Sequence, residues 1–129
     1  MPTPNPRTIV SLLAAAATIF GGLVPASALA GDAEAGKIVY TTYCIVCHGE
    51  TGKGDGPVGI ALDPRPRDFA AGVFKFDTDS DGATGTDTDL TTAITQGGAA
   101  WGSPLMAPWP TLSEAEVANV IAYIRTLKQ

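Results

Sequence analysis

The chain has 129 residues with 13 acidic and 8 basic side chains, a net charge of −5, which argues against nucleic acid or an anionic membrane surface as partner. About a hundred residues remain once the N-terminal segment described next is set aside, enough for one domain with a thin core that gains from an added staple. Two cysteines and one histidine are the whole thiol and imidazole content.

Residues 1–30 read as an export signal. Arg7 is a short basic start, Ile9–Val24 is uncharged and apolar, and Ala28-Leu29-Ala30 after Pro25 is a small-residue cleavage site. Cleavage leaves residues 31–129 as the mature domain and, because Arg7 departs with the signal, moves the charge from −5 to −6. Retention as an anchor is the competing reading. The run falls short of the roughly 20 strongly apolar residues a spanning helix needs, so no stable membrane insertion of the mature chain is expected.

A first helix is predicted from Asp32, an N-cap residue type, through AEAGKIVYTTYC. Gly36 inside it costs about 0.8–1.0 kcal/mol relative to Ala, which suggests that another element approaches closely there. The helix runs into TTYCIVCHGE, where Cys44, Cys47 and His48 fall at positions i, i+3 and i+4, on one helical face. Two thiols so placed can tether a flat macrocycle while the next imidazole meets its central metal, the C-x-x-C-H signature of covalent haem attachment. Rival readings stay open. A redox dithiol expects a strand before the first cysteine, a zinc site lacks a fourth Cys or His and needs a carboxylate, and a disulfide across two residues is a strained, small loop.

From His48 to Thr86 the chain is dense in Gly, Pro and Asp and shows no period. So long a loop needs partners for its backbone polar groups, and a large buried ligand would supply the reason for it. Within it DTDSDG sets Asp77, Asp79, Asp81 and Gly82 at the opening positions of a calcium loop, but position twelve is Thr88 where a bidentate Glu belongs. A solvated acidic loop is the competing reading, and with Asp87 and Asp89 it is the most acidic stretch of the chain. Next, TDTDLTTAITQGG predicts a short helix with Leu90, Ala93 and Ile94 on one side and Gly97 as its stop.

GSPLMAPWPTL follows, without helix or strand period, stiffened by Pro104, Pro108 and Pro110. Met106 is the only methionine left once Met1 goes with the signal; a lone Met is often core filler, but this loop presents it as a candidate second axial ligand. Trp101 and Trp109 are packing residues expected near the same site. The last helix, TLSEAEVANVIAYIRTLKQ, opens with the S-x-x-E capping box of Ser113 and Glu116 and a Leu112–Val117 staple. Its apolar face is Val117, Val120, Ile121, Ile124 and Leu127.

Gly36, Tyr40, the Cys44–His48 motif, GDGP, PRDF, the Met106 loop and VIAYIRTL together resemble the class I c-type cytochromes, small bacterial periplasmic monohaem electron carriers. The resemblance implies an all-α cytochrome c fold of three to five helices, with long loops wrapped around one covalently bound haem and the first and last helices crossing near Gly36, Tyr40 and Tyr123. It implies haem bound by Cys44 and Cys47, iron ligated by His48 and Met106, the Pro57 carbonyl accepting from the other His48 nitrogen, and Arg67 near a haem propionate. For Arg65 and Arg67 a solvated face is the alternative. Many relatives carry Pro directly after the ligand Met, whereas this chain has Ala107 and then Pro108. The implied function is periplasmic electron transfer, not catalysis, with redox partners that present basic docking surfaces to this acidic chain. Two alternatives remain: a haem subunit of a larger oxidoreductase, or a five-coordinate sensor or peroxidase if Met106 does not ligate.

Overall fold

The computed structural model describes Met1 and residues 30–129, so the expected export segment lies almost wholly outside the described residues. Among the described residues there are four α-helices and no strand: α1 (Ala33–Tyr43), α2 (Ile45–His48), α3 (Asp87–Gln96) and α4 (Glu114–Thr126), with single 3-10 turns at Gly59–Ala61 and Ala99–Trp101. The all-α expectation holds, and no described helix is long and apolar enough to cross a membrane.

α1, α3 and α4 each start where a side chain can accept from the free N–H groups of the first turn. Asp32 accepts from Glu34 N at 2.9 Å and Ala35 N at 3.2 Å. At α4 the capping box closes, with Ser113 N donating to Glu116 Oε2 at 2.8 Å. At α3 a second capping box, Thr86 with Asp89, was not anticipated, although T-x-x-D carries the same logic. Asp89 is fully enclosed. Its carboxylate accepts from the backbone N–H and hydroxyl of both Thr78 and Thr86, and these bonds, the Thr78 amide first, hold its pKa down at about 2 against the opposing effect of burial. The expectation that Asp89 adds to an acidic surface is thereby corrected.

α1 and α4 cross at Gly36. A Cβ there would lie 1.9 Å from the Asn119 carbonyl oxygen, so only hydrogen fits between the two backbones. Nearby, Asp32 N donates to Asn119 Oδ1 at 2.8 Å. One turn on, Tyr40 is fully buried with its ring 5.1 Å from Tyr123, and its hydroxyl donates to the Gly49 carbonyl at 2.8 Å, which pins the loop after His48 to the crossing. The core around it joins Val39 and Tyr40 of α1, Leu90 and Ile94 of α3, and Val117, Val120, Ile121 and Ile124 of α4; Phe69 enters from the loop. Each such aliphatic side chain contributes about 1.5–3 kcal/mol on burial.

Helix propensity and packing make opposite predictions for Gly36→Ala. Propensity alone favours the variant by about 0.8–1.0 kcal/mol, whereas overpacking of a backbone crossing costs about 1–3 kcal/mol. The clash with Asn119 is the larger effect, so a thermal melt should show a lower Tm, by roughly 4–8 °C per kcal/mol for a domain of this size. A raised Tm would show that α1 and α4 do not meet here.

The long segment 49–86 stays irregular apart from its 3-10 turn, and backbone bonds tie it to α2 and to itself. Gly54 N donates to His48 O at 2.8 Å, Val58 N to Val46 O at 3.0 Å, and Phe69 N to Gly52 O at 2.6 Å.

Candidate functional site

Cys44 is both the C-cap of α1 and the N-cap of α2, and beyond this junction His48 is buried while Val46 stays exposed. Cys44, Cys47, His48 and Met106 all line one cavity of about 260 Å³, whose walls are otherwise mostly apolar, with Leu90, Ile94 and Phe74 among them. The two thiols are free and half-buried, not joined in a disulfide. Burial, and then the neighbouring Cys47, pushes the Cys44 thiol up to about 11. A reactive dithiol wants the opposite shift, so the redox reading loses support. Among the described residues Cys44, Cys47 and His48 do not gather with a carboxylate into a metal-binding group, so the zinc reading loses support as well.

His48 is buried, and desolvation lowers its pKa while a hydrogen bond to the Arg67 carbonyl acts the other way. Its Nδ1 lies 3.3 Å from Arg67 O, and its ring stacks on Phe69 with centroids 4.4 Å apart and planes 13° apart. With Nδ1 donating to a carbonyl, the neutral ring carries its lone pair on Nε2, as a metal-ligating histidine does. The expected acceptor was the carbonyl of Pro57, and that is corrected. The turn holding Pro57 folds back on the outer side of α2, through Gly56 N to Cys47 O at 3.3 Å, and Pro57 borders a separate shallow depression with Ile45 and Asp55. The return of the chain at Phe69 carries the Arg67 carbonyl to the ring instead.

Met106 reaches the cavity from the loop after α3. Its N–H donates to Ser103 O and its carbonyl accepts from Gly98 N, each at 3.0 Å, while Trp109 N donates to Ile94 O at 2.8 Å. The loop is therefore held by backbone bonds to the end of α3 as well as by its prolines, and Ala107 in place of the usual Pro leaves Met106 on the cavity wall. Trp109 lines the cavity, paired with Tyr43 at 5.1 Å between ring centres; Trp101 does not line it and packs on Phe76 at 6.2 Å.

Arg65, Arg67 and Lys75 all line the cavity, a cationic group suited to carboxylates of a bound molecule. Lys75, Phe69, Phe74 and Phe76 were missed as site residues. The alternation F-K-F at 74–76 was a legible signal for a segment with one face on a cavity. The acidic loop does bring oxygens of Asp77, Asp79 and Asp89 within 4.8 Å of one another. Yet Asp89 is committed to the two threonines, Asp77 accepts from Asp81 N and Gly82 N at 3.1 Å each, and Thr88 sits in α3. The calcium reading gains no support, and the loop is held together by its own amides.

These residues fit a haem: two thiols for vinyl groups, an imidazole with Nδ1 already bonded, apolar walls, and cations for propionates. A chain of the Kuenenia stuttgartiensis reducing HAO-like protein complex is similar to this one at 37% identity and a TM-score of 0.62, covering 75% of this chain and 43% of that one. This chain thus spans less than half the length of that neighbour. No curated protein matches it. The Cytochrome c family model matches residues 33–128, nearly all of the described domain, and that family implies covalently bound haem c. With the tethering motif and its cavity in place, the chain belongs to the cytochrome c family, whose members transfer electrons through haem.

Proposed function

We propose that this chain is an exported, periplasmic monohaem electron carrier with histidine and methionine as the two axial ligands. The observation that carries the reading is the convergence of Cys44, Cys47 and His48, from α2 and its N-cap, with Met106, from the loop after α3, on one mostly apolar cavity. Bound haem supplies the one-electron iron couple. Cys44 and Cys47 would tether the haem as thioethers, and His48 Nε2 would ligate the iron with its ring fixed by the Arg67 carbonyl. Met106 Sδ would be the second ligand, a neutral donor that favours ferrous iron and raises the potential. Arg65, Arg67 and Lys75 would pair with the propionates, and Leu90, Ile94 and Phe74 would exclude water.

The partner surface is narrower than composition suggests. Asp89 is enclosed and Asp87 is paired with Arg125 at 2.8 Å, which leaves Asp77, Asp79 and Asp81 as the acidic patch for a basic partner. A second reading, a haem subunit of a larger oxidoreductase, is favoured by the similarity to a longer chain within a protein complex. A redox titration followed optically tests the carrier reading. One reversible one-electron wave is expected, with electron exchange to a basic partner slowing as salt rises. Several waves would count against a single haem, and stable copurification with a larger enzyme would select the subunit reading.

A further inference from the structure

Arg125 lies in the last turn of α4 and is not among the residues lining the cavity, yet its guanidinium contacts the segment that lines one wall of it. Nη2 donates to the Gly85 carbonyl at 2.6 Å and to Asp87 Oδ1 at 2.8 Å, and the guanidinium carbon stands 5.2 Å from the centre of the Phe74 ring. Gly85 is also the base of a closed loop, because its N–H donates to Phe76 O at 2.9 Å. At φ +69, with Phe74 Cβ 2.2 Å from where a Cβ would stand, Gly85 admits no side chain. Phe74, Lys75 and Phe76 form a strap along the cavity wall, and Arg125 holds both the first ring of that strap and the point where its loop closes.

The strap reaches both candidate iron ligands. In one direction Phe74 stacks on Phe69 at 6.1 Å, and Phe69 stacks on His48 at 4.4 Å. In the other, Phe76 meets Trp101 at 6.2 Å, Trp101 N donates to Gly98 O, and Gly98 N donates to Met106 O, both at 3.0 Å. The ion pair with Asp87 does not explain such placement. Its side chains are 39% and 78% exposed, and pairs of that kind contribute little. Nη2 holds the carbonyl while the guanidinium carbon stands by the Phe74 ring, and a delocalised planar cation suits an aromatic face better than a compact ammonium does.

We propose that Arg125 is a positioning residue for electron transfer: by clamping Gly85 and Phe74 it keeps the 74–76 strap closed on the haem cavity, which orients His48 and Met106 and keeps water from the iron. The inference rests on the haem reading above. That reading fails separately, if the wild-type protein lacks covalent haem or the sulfur-to-iron charge-transfer band.

The test compares haem-loaded Arg125→Gln, Arg125→Lys, Asp87→Asn and Phe74→Leu proteins by amide hydrogen exchange, far-red absorption and reduction potential. Losing a cation–π contact and a charge-assisted hydrogen bond should speed exchange at the Gly85 amide about tenfold or more in Arg125→Gln. The potential should fall and the far-red band should weaken with it. Arg125→Lys, which keeps the charge without the fork, should follow Arg125→Gln in exchange, and Asp87→Asn should match wild type in all three. Should Arg125→Gln not fold, Phe74→Leu carries the test, because it cuts the same contact and is expected to shift the same three readouts. Unchanged band and potential in Arg125→Gln, or in Phe74→Leu where that carries the test, would overturn the proposal even if melting temperature fell. So would full restoration by Arg125→Lys, which would leave only a charge effect.

Discussion

The protein recovered from cells competent in haem attachment is expected to weigh one haem more than its mature polypeptide, and to keep that mass after denaturation. Thioether bonds survive unfolding, whereas ligated or merely buried haem is lost with the fold. Single Cys44→Ala or Cys47→Ala proteins should retain one bond and a weaker attachment, and the double variant should carry none. His48→Ala should leave the tethers and disturb the iron. The cavity wall includes Leu90, Ile94 and Phe74, so the double variant, with no haem to cover that apolar surface, should melt at a lower temperature than the haem-loaded protein. A folded apoprotein with a Cys44–Cys47 disulfide, isolated from the same cells, would overturn the covalent assignment.

Local and periodic features were legible in the sequence because they act over a few residues. The Asp32 cap, the Ser113–Glu116 box, the α4 face and the C-x-x-C-H spacing each need only a turn of helix to express themselves. Gly36 was legible as well, since a glycine that weakens a helix asks what approaches it, and Asn119 is the answer. What failed depended on where an aperiodic chain returns in space. The carbonyl on His48 is set by the path from Gly52 to Phe69, which brings Arg67 rather than Pro57 to the ring. Asp89 reads as one more surface acid until the fold sets Thr78 and Thr86 around it. Trp101 is close to Met106 in sequence but turns toward Phe76, while Phe69, Phe74 and Lys75, distant in sequence, build the wall. Long-range placement of loop residues has no period to announce it.

Met106→Ala is expected to convert a closed redox centre into an open one. The described domain holds one histidine and no methionine besides Met106 apart from Met1, so a neutral sulfur or imidazole donor for the second axial position comes from this side chain or from none. The loop supports the assignment independently. Its backbone bonds to Ser103 and Gly98 do not involve the thioether, so alanine should leave the loop in place and remove only the ligand. Ferric wild-type protein should show the far-red charge-transfer band of sulfur-ligated iron, and the variant should lack it. Loss of a donor that favours ferrous iron lowers the potential, by on the order of 0.1 V within the roughly 0.8 V that axial ligands span. Because 59 mV is tenfold for one electron, that shift alone would change the ferrous-to-ferric ratio at a given poise by more than about tenfold. Ferrous variant should also take up carbon monoxide, which the wild type should resist. Wild-type protein that binds carbon monoxide readily, together with a variant of unchanged spectrum, would show that Met106 only fills space, and would move the function from electron carrier toward gas binding or catalysis.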